Sequence, residues 1–189
     1  QSAGWNYDTA AMHLMGFTTT SDVTKADAAA GATKLDAAAK TAVKNGEIIG
    51  TEGHIYYNCG AYLSSSFVVL QRGVFHANGV YTIPNTYLKG EGIGTNTFPT
   101  CAFRGFGAPQ TLFCFETHLT HLAHHLGVDP LAFKMRYLAK KGDETTTNGH
   151  IIEDVKLPEM IDVITKESDY WNKIKEYKPG CGRGIGVAL

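Results

Sequence analysis

The run Ala102-Phe103-Arg104-Gly105-Phe106-Gly107-Ala108-Pro109-Gln110 is where this chain changes character. Two glycines within three residues permit backbone conformations and close approaches that a side chain forbids. Pro109 suits the first turn of a helix, where the N–H it lacks would have no partner anyway. Beyond it Leu112, Phe113, Phe115, Leu119, Leu122, Ala123 and Leu126 fall near one face at helical spacing, and Gly127 stops the pattern. A bend feeding a helix N-terminus presents main-chain N–H groups to whatever lies in front, which favours anionic oxygens. Phe103 and Phe106 flank the bend, so a ring can be offered as a flat platform. The same pattern also fits a plain strand-to-helix turn with core phenylalanines.

Upstream of the bend the signals are those of a sheet. Asn45-Gly46 is a two-residue hairpin turn with Ala42-Val43 before it and Ile48-Ile49 after it. A strand is predicted from Glu47 to Tyr57 and another from Thr86 to Thr95, after a turn at Pro84-Asn85. Short apolar runs at 67–70 and 73–75, around Arg72, are read into the same sheet, which gives sheet over about 47–100. Downstream, Asp129-Pro130 opens a short helix carrying Leu131, Phe133, Met135 and Leu138, and a third helix is predicted from Pro158 to about Tyr177. Helices thus occupy about 109–177, and 183–189 reads as the start of a strand. Residues 1–46 are a segment of uncertain character, with a small polar cluster at 18–21 and an Ala- and Lys-rich stretch at 26–44 that suits helix or strand. The fold class is α+β, a mixed or antiparallel sheet followed by a helical segment.

Composition narrows the function classes. Hydrophobic residues at 43% and charged residues at 19% of 189 fit a packed globular chain and argue against disorder. Lys plus Arg number 17 and Asp plus Glu 18, a net charge of −1, which offers no footprint for nucleic acid or an anionic membrane. No 18-residue apolar run exists to span a bilayer. Cys59, Cys101, Cys114 and Cys181 form no C-x-x-C pair, which reads as reduced thiols in the cytoplasm. The chain starts without Met and stops in an apolar run, as an excised piece of a longer protein would.

The nine-residue run resembles the A-F-R-G-F-G-x-P-Q signature of the xanthine dehydrogenase and aldehyde oxidase family of molybdenum hydroxylases. Gln71-Arg72-Gly73-Val74-Phe75-His76, Tyr81-Thr82-Ile83-Pro84-Asn85, Thr95-Asn96 and Pro99 resemble the family's upstream segment. Leu126-Gly127-Val128-Asp129-Pro130 and Lys141-Gly142-Asp143 resemble its later turns, and Gly182-Arg183-Gly184-Ile185-Gly186 the strand opening its next subdomain. The resemblance covers about 46–189, as part of a molybdopterin-binding domain, while residues 1–45 depart from it.

That resemblance implies a molybdenum–molybdopterin cofactor here, with iron–sulfur clusters and FAD in other domains or subunits. It implies oxidation of an electron-poor carbon with oxygen from water. Phe103, Arg104 and Gly105 would bind the cofactor, with the Arg104 main chain beside the molybdenum centre. Phe106 would stack on a small heterocyclic substrate. Arg72 would face that substrate and stabilise charge developing on it, which makes it both catalytic and substrate-binding and tilts the reading toward a purine such as xanthine or hypoxanthine. Rival readings are an aldehyde or another N-heterocycle as substrate, and a non-catalytic structural piece. The family's base glutamate has no match in this stretch; Glu91 and Glu116 do not occupy its position. The chain alone is expected to be inactive.

Three further signals carry less. His118, His121, His124 and His125 crowd one helix, and the i,i+4 pair His121 and His125 could hold a metal, but there is no H-E-x-x-H. Gly90-Glu91-Gly92-Ile93-Gly94 looks like a nucleotide loop yet lacks G-x-G-x-x-G spacing and a following helix. Cys101 borders the bend and could line a site, although a small buried core thiol is the plainer expectation.

Overall fold

The computed structural model describes residues 33–34, 39–178 and 180–189. The readings of the polar cluster at 18–21 and of most of the 26–44 stretch lie outside the described residues.

A four-stranded sheet has the order β1 (Thr33–Lys34), β2 (Ala39–Lys44), β3 (Glu47–Gly60), β4 (Thr86–Gly94). Asn45 and Gly46 make the tight turn between β2 and β3, with φ of 53° and 80°. Both angles lie in the left-handed region that a primed hairpin turn requires. The hairpin is antiparallel, with Val43 opposite Ile48. β4 instead runs parallel to β3, from Thr51 opposite Thr86 to Gly60 opposite Gly94. The sheet is therefore mixed.

Parallel pairing of sequential strands demands a connection that crosses back over the sheet. Helix α1 (Ser66–Phe75) provides it. This corrects the reading of 47–100 as sheet throughout. Val68, Val69 and Val74 carry strand propensity, but Val69, Leu70 and Val74 meet Ile55, Tyr57 and Ala77 at helical spacing in a small core. β4 admits this helix through a missing side chain. A Cβ on Gly90 would lie 2.5 Å from Val74 Cγ2 and 2.7 Å from Leu70 Cδ1. The apparent nucleotide loop is a strand made thin for helix packing.

Helix α2 (Ala108–Leu126) ends as expected at Gly127, whose φ of 72° lets its N–H and that of Val128 return to the last turn. α3 (Pro130–Met135) is capped by Asp129, which accepts from Ala132 N at 2.9 Å. The third predicted helix is two helices, α4 (Leu157–Glu167) and α5 (Tyr170–Glu176). Ser168 and Asp169 break it. Such residues bond locally instead of continuing a helix, and Asp169 takes φ 53° while accepting from Asn172 Nδ2. The break turns Tyr170 into the main core. No strand forms at 183–189. Ile185, Val187 and Leu189 do alternate against the core, but no described strand offers them backbone partners.

The main core gathers Val43 and Ile48 from the hairpin, Tyr81 and Ile83, Leu119, Leu122 and Ala123 from α2, Leu131 and Phe133 from α3, and Ile161. At its margin Lys134 Nζ sits 2.8 Å from Glu116 Oε2, with only 3% and 13% of the two side chains exposed. The Tyr81 hydroxyl donates to the other Glu116 oxygen. Burial, and then the Glu116 carboxylate, push the Tyr81 phenol well above its ordinary range. Glu116 thus ties the 81 segment, α2 and α3 together. Removing one partner of a buried pair leaves the other charge uncompensated. Glu116→Ala should therefore cost about 3 to 5 kcal/mol in urea unfolding, whereas loss of an exposed pair such as Lys156–Glu159, 3.2 Å apart, should cost under about 1 kcal/mol.

Candidate functional site

The bend is exposed at 103–106 and buried at Gly107, and its backbone is unusual. Gly105, Phe106 and Gly107 take φ of 91°, 50° and 88°, three consecutive residues in the left-handed region. For Phe106 that conformation costs on the order of 1 kcal/mol, so its surroundings must hold it. Two amides of the bend are used locally, Phe106 N to Phe103 O at 2.8 Å and Ala108 N to Gly105 O at 3.2 Å. The amides of Arg104, Gly105 and Gly107 have no chain acceptor among the described residues. Gln110 Oε1, on the first turn of α2, is buried without a partner among the described residues. Phe103 is 82% exposed and Phe106 41%.

Gly107 lets the bend touch α1 backbone to backbone. A Cβ there would overlap the Val69 carbonyl oxygen and lie 2.8 Å from Tyr57 Oη. The Gly107 carbonyl accepts from Tyr57 Oη at 3.0 Å and from Thr111 N and Oγ1, both at 3.3 Å. Ser65, just before α1, holds the approach to the bend: its Oγ accepts from Ala102 N at 3.2 Å and lies 3.1 Å from Cys101 Sγ. Cys101 is exposed, which corrects the expectation of a buried thiol. The Ser65 hydrogen bond, and then the Ala102 amide, draw its thiol below the ordinary range. Cys114, between α1 and α2, is pushed up to about 12 by burial.

Arg72 lies on α1 one turn beyond Val69, exposed to solvent. It lines a cavity of about 930 Å³ together with His76, Asn78, Tyr87 and Thr146. None of residues 103–107 lines that cavity. The structure thus brings Phe103, Arg104, Gly105 and Phe106 together on one bend and sets Arg72 on the helix beneath it, facing a neighbouring hollow. Glu91 is a half-buried β4 residue paired with Lys89, and Glu116 is bound up in the core margin. Neither carboxylate borders the bend.

The histidines of α2 do not gather a metal site. Among the described residues no group of three or more His, Cys, Asp or Glu is placed to hold an ion. His118 is instead a structural residue, with Nε2 2.7 Å from Thr41 Oγ1, which in turn lies 3.1 Å from Thr51 Oγ1. Burial, and then the charge of His121, hold the His118 imidazole down at about 3.

Tyr57 and Ser65 were not singled out from the sequence. Tyr57 belongs to a strand whose partners are remote in sequence, so nothing local marks it. Gly73 on α1, four residues after Val69, is the trace it leaves, because a Cβ there would overlap the Tyr57 hydroxyl.

A family model described as the molybdopterin cofactor-binding domain matches residues 18–138, more than half of the chain. The match begins inside the segment read as departing from the family. Nicotinate hydroxylase of Emericella nidulans is 32% identical over 133 residues, covering 70% of this chain and 10% of its own length. Xanthine dehydrogenase of the same organism is 33% identical over 132 residues, with the same coverages of 70% and 10%. The solved aldehyde oxidoreductase of Desulfovibrio desulfuricans superposes with a TM-score of 0.66 at 28% identity, over 75% of this chain and 16% of that one. This chain therefore spans about a tenth of the length of those two curated relatives.

Two expectations follow from the geometry. Gly107→Ala forces a Cβ into the Val69 carbonyl at a left-handed φ and should cost about 2 kcal/mol or more by denaturant unfolding. His118 is neutral when folded, and its ordinary value in an unfolded chain is about 6.5. The unfolded state takes up the proton first, so stability should fall as pH drops from about 6.5 toward about 3. His118→Gln should flatten that slope between roughly pH 6.5 and 5, above most carboxylate titration.

Proposed function

The chain belongs to the molybdopterin cofactor-binding domain family, and from that footing we propose that it supplies part of the active site of a molybdenum hydroxylase acting on a purine-type heterocycle. The observation that carries this reading is the bend at the N-terminus of a 19-residue helix, exposed at 103–106, with the Arg104 and Gly105 amides lacking chain acceptors among the described residues.

The residues present suit a molybdenum–pterin group on two counts. Main-chain N–H groups at a helix N-terminus match its anionic oxygens. The buried, unpartnered Gln110 Oε1 calls for an N–H or O–H donor, which a pterin carries. When bound, that group supplies the oxygen-transfer and two-electron chemistry. The chain's own residues bind and orient. Phe103, Arg104 and Gly105 would hold the cofactor, with the Arg104 main chain beside the molybdenum centre. Phe106 offers its ring face to a flat heterocycle, which fixes the orientation of the reacting carbon. Arg72 faces the neighbouring hollow from α1, so the reading requires the heterocycle to extend from the Phe106 ring toward α1, where Arg72 would stabilise negative charge that develops on a purine carbonyl or ring nitrogen.

The base glutamate that the family resemblance implies has no match in this stretch, which on this reading puts it in a part of the protein outside this chain. The same holds for the iron–sulfur and flavin groups that carry electrons away. Tyr62, Leu63, Phe67, Val68 and Phe98 are all exposed, which suits a surface covered in part by the rest of the molybdopterin domain. The chain alone then turns nothing over. No helix among the described residues is long and apolar enough to cross a membrane. The four free cysteines support a reducing compartment, the cytoplasm.

The fold likeness to an aldehyde oxidoreductase favours a second reading, an aldehyde substrate. Arg72 separates the two, because an aldehyde carries no ring charge for it to stabilise. In the full-length protein, Arg72→Ala should reduce xanthine or hypoxanthine turnover by about 100-fold or more, at unchanged molybdenum content. Steady-state kinetics beside metal analysis check this, and unaltered purine turnover rejects the role.

A further inference from the structure

Tyr57 lies in β3, is 6% exposed, and reaches past α1 to donate its hydroxyl proton to the Gly107 carbonyl at 3.0 Å. The path is cleared on both sides by glycine. Gly73 sits inside α1, where glycine is a poorer helix former than alanine, and any Cβ there would overlap the Tyr57 hydroxyl. A Cβ on Gly107 would lie 2.8 Å from the same oxygen. The phenol therefore fills the joint between the helix that carries Arg72 and the bend that carries Phe106. Phe106 immediately precedes Gly107 and holds φ 50°, a conformation that relaxes unless its neighbours are fixed.

We propose that Tyr57 is a positioning residue: its hydrogen bond to the Gly107 carbonyl locks the bend onto α1 and so sets the ring of Phe106 for substrate. This rests on the reading of the bend as part of a hydroxylase site. Tyr57 touches neither substrate nor cofactor and acts through Gly107.

The test uses the full-length protein that contains this chain, with Tyr57→Phe compared to Tyr137→Phe. Tyr137 is a matched control. Its buried hydroxyl accepts from Ile48 N and donates to Glu47, both at 2.8 Å, and it joins the main core rather than the bend. Tyr57→Phe should raise KM for xanthine about tenfold with kcat changed less than about twofold, the worth of one lost hydrogen bond. It should also speed amide hydrogen exchange at Phe106 and Ala108 about tenfold at unchanged molybdenum content. Tyr137→Phe should do neither. An unmoved KM, unmoved exchange at the bend, or equal shifts from both variants each overturns the proposal. A wild-type protein without molybdenum or xanthine turnover overturns the functional reading instead, and bend exchange in Tyr57→Phe then decides the latch alone.

Discussion

At Gly107 two pieces of backbone meet with no side chain between them. The bend lies directly on the Val69 carbonyl of α1, and the Tyr57 ring fills the space beside them. α1 can reach that position because β4 is equally bare where the helix crosses it, at Gly90. Sheet, crossover helix and bend are thus stacked through places where a Cβ is missing. Protein interiors are packed too densely to absorb an added methyl at such a joint. The geometry of the bend is therefore set by the layers beneath it rather than by its own sequence alone.

The ionisable groups inside the fold serve a different purpose from those at its surface. Glu116 is held by Lys134 and Tyr81, and His118 is neutral against Thr41. The buried Tyr137 phenol, pushed up to about 12 by burial, donates to the exposed Glu47. Each of these groups joins elements distant in sequence and has its lone pairs or protons already committed. None is free to move a proton for a substrate. At the bend the groups left without a chain partner among the described residues are the Arg104, Gly105 and Gly107 amides and Gln110 Oε1. A site built from backbone dipoles needs rigidity more than acidity.

Local rules made much of this legible from the chain. Asn45-Gly46, Pro109, Gly127 and Asp129-Pro130 each determine a turn or a helix end through one residue's backbone preference, and the structure follows them. The signature run located the bend for the same reason. Where the reading failed, the deciding contact was remote. Valines in 66–75 look like strand until β3 and β4 are known to be parallel, and that pairing is a property of the sheet rather than of the segment. The break at Ser168 and Asp169 serves the burial of Tyr170 against elements some forty residues away, among them Asp129, 3.4 Å from its hydroxyl. Residues 183–189 have the alternation of a strand but no partner among the described strands, and alternation alone does not supply one.

A chain that spans about a tenth of two curated relatives nevertheless holds its bend in a strained, defined conformation. That is informative about how such a site is assembled. If a bound group or a docking partner imposed the shape of 104–107, the bend would have no need of glycine on both sides of Tyr57 or of a carbonyl that accepts three hydrogen bonds. Those features cost helix propensity at Gly73 and backbone strain at Phe106. They make sense where the binding surface is prepared before its ligand arrives, since a preorganised donor array does not spend binding energy on ordering itself. The bend is thus preorganised by this chain's own sheet and helix.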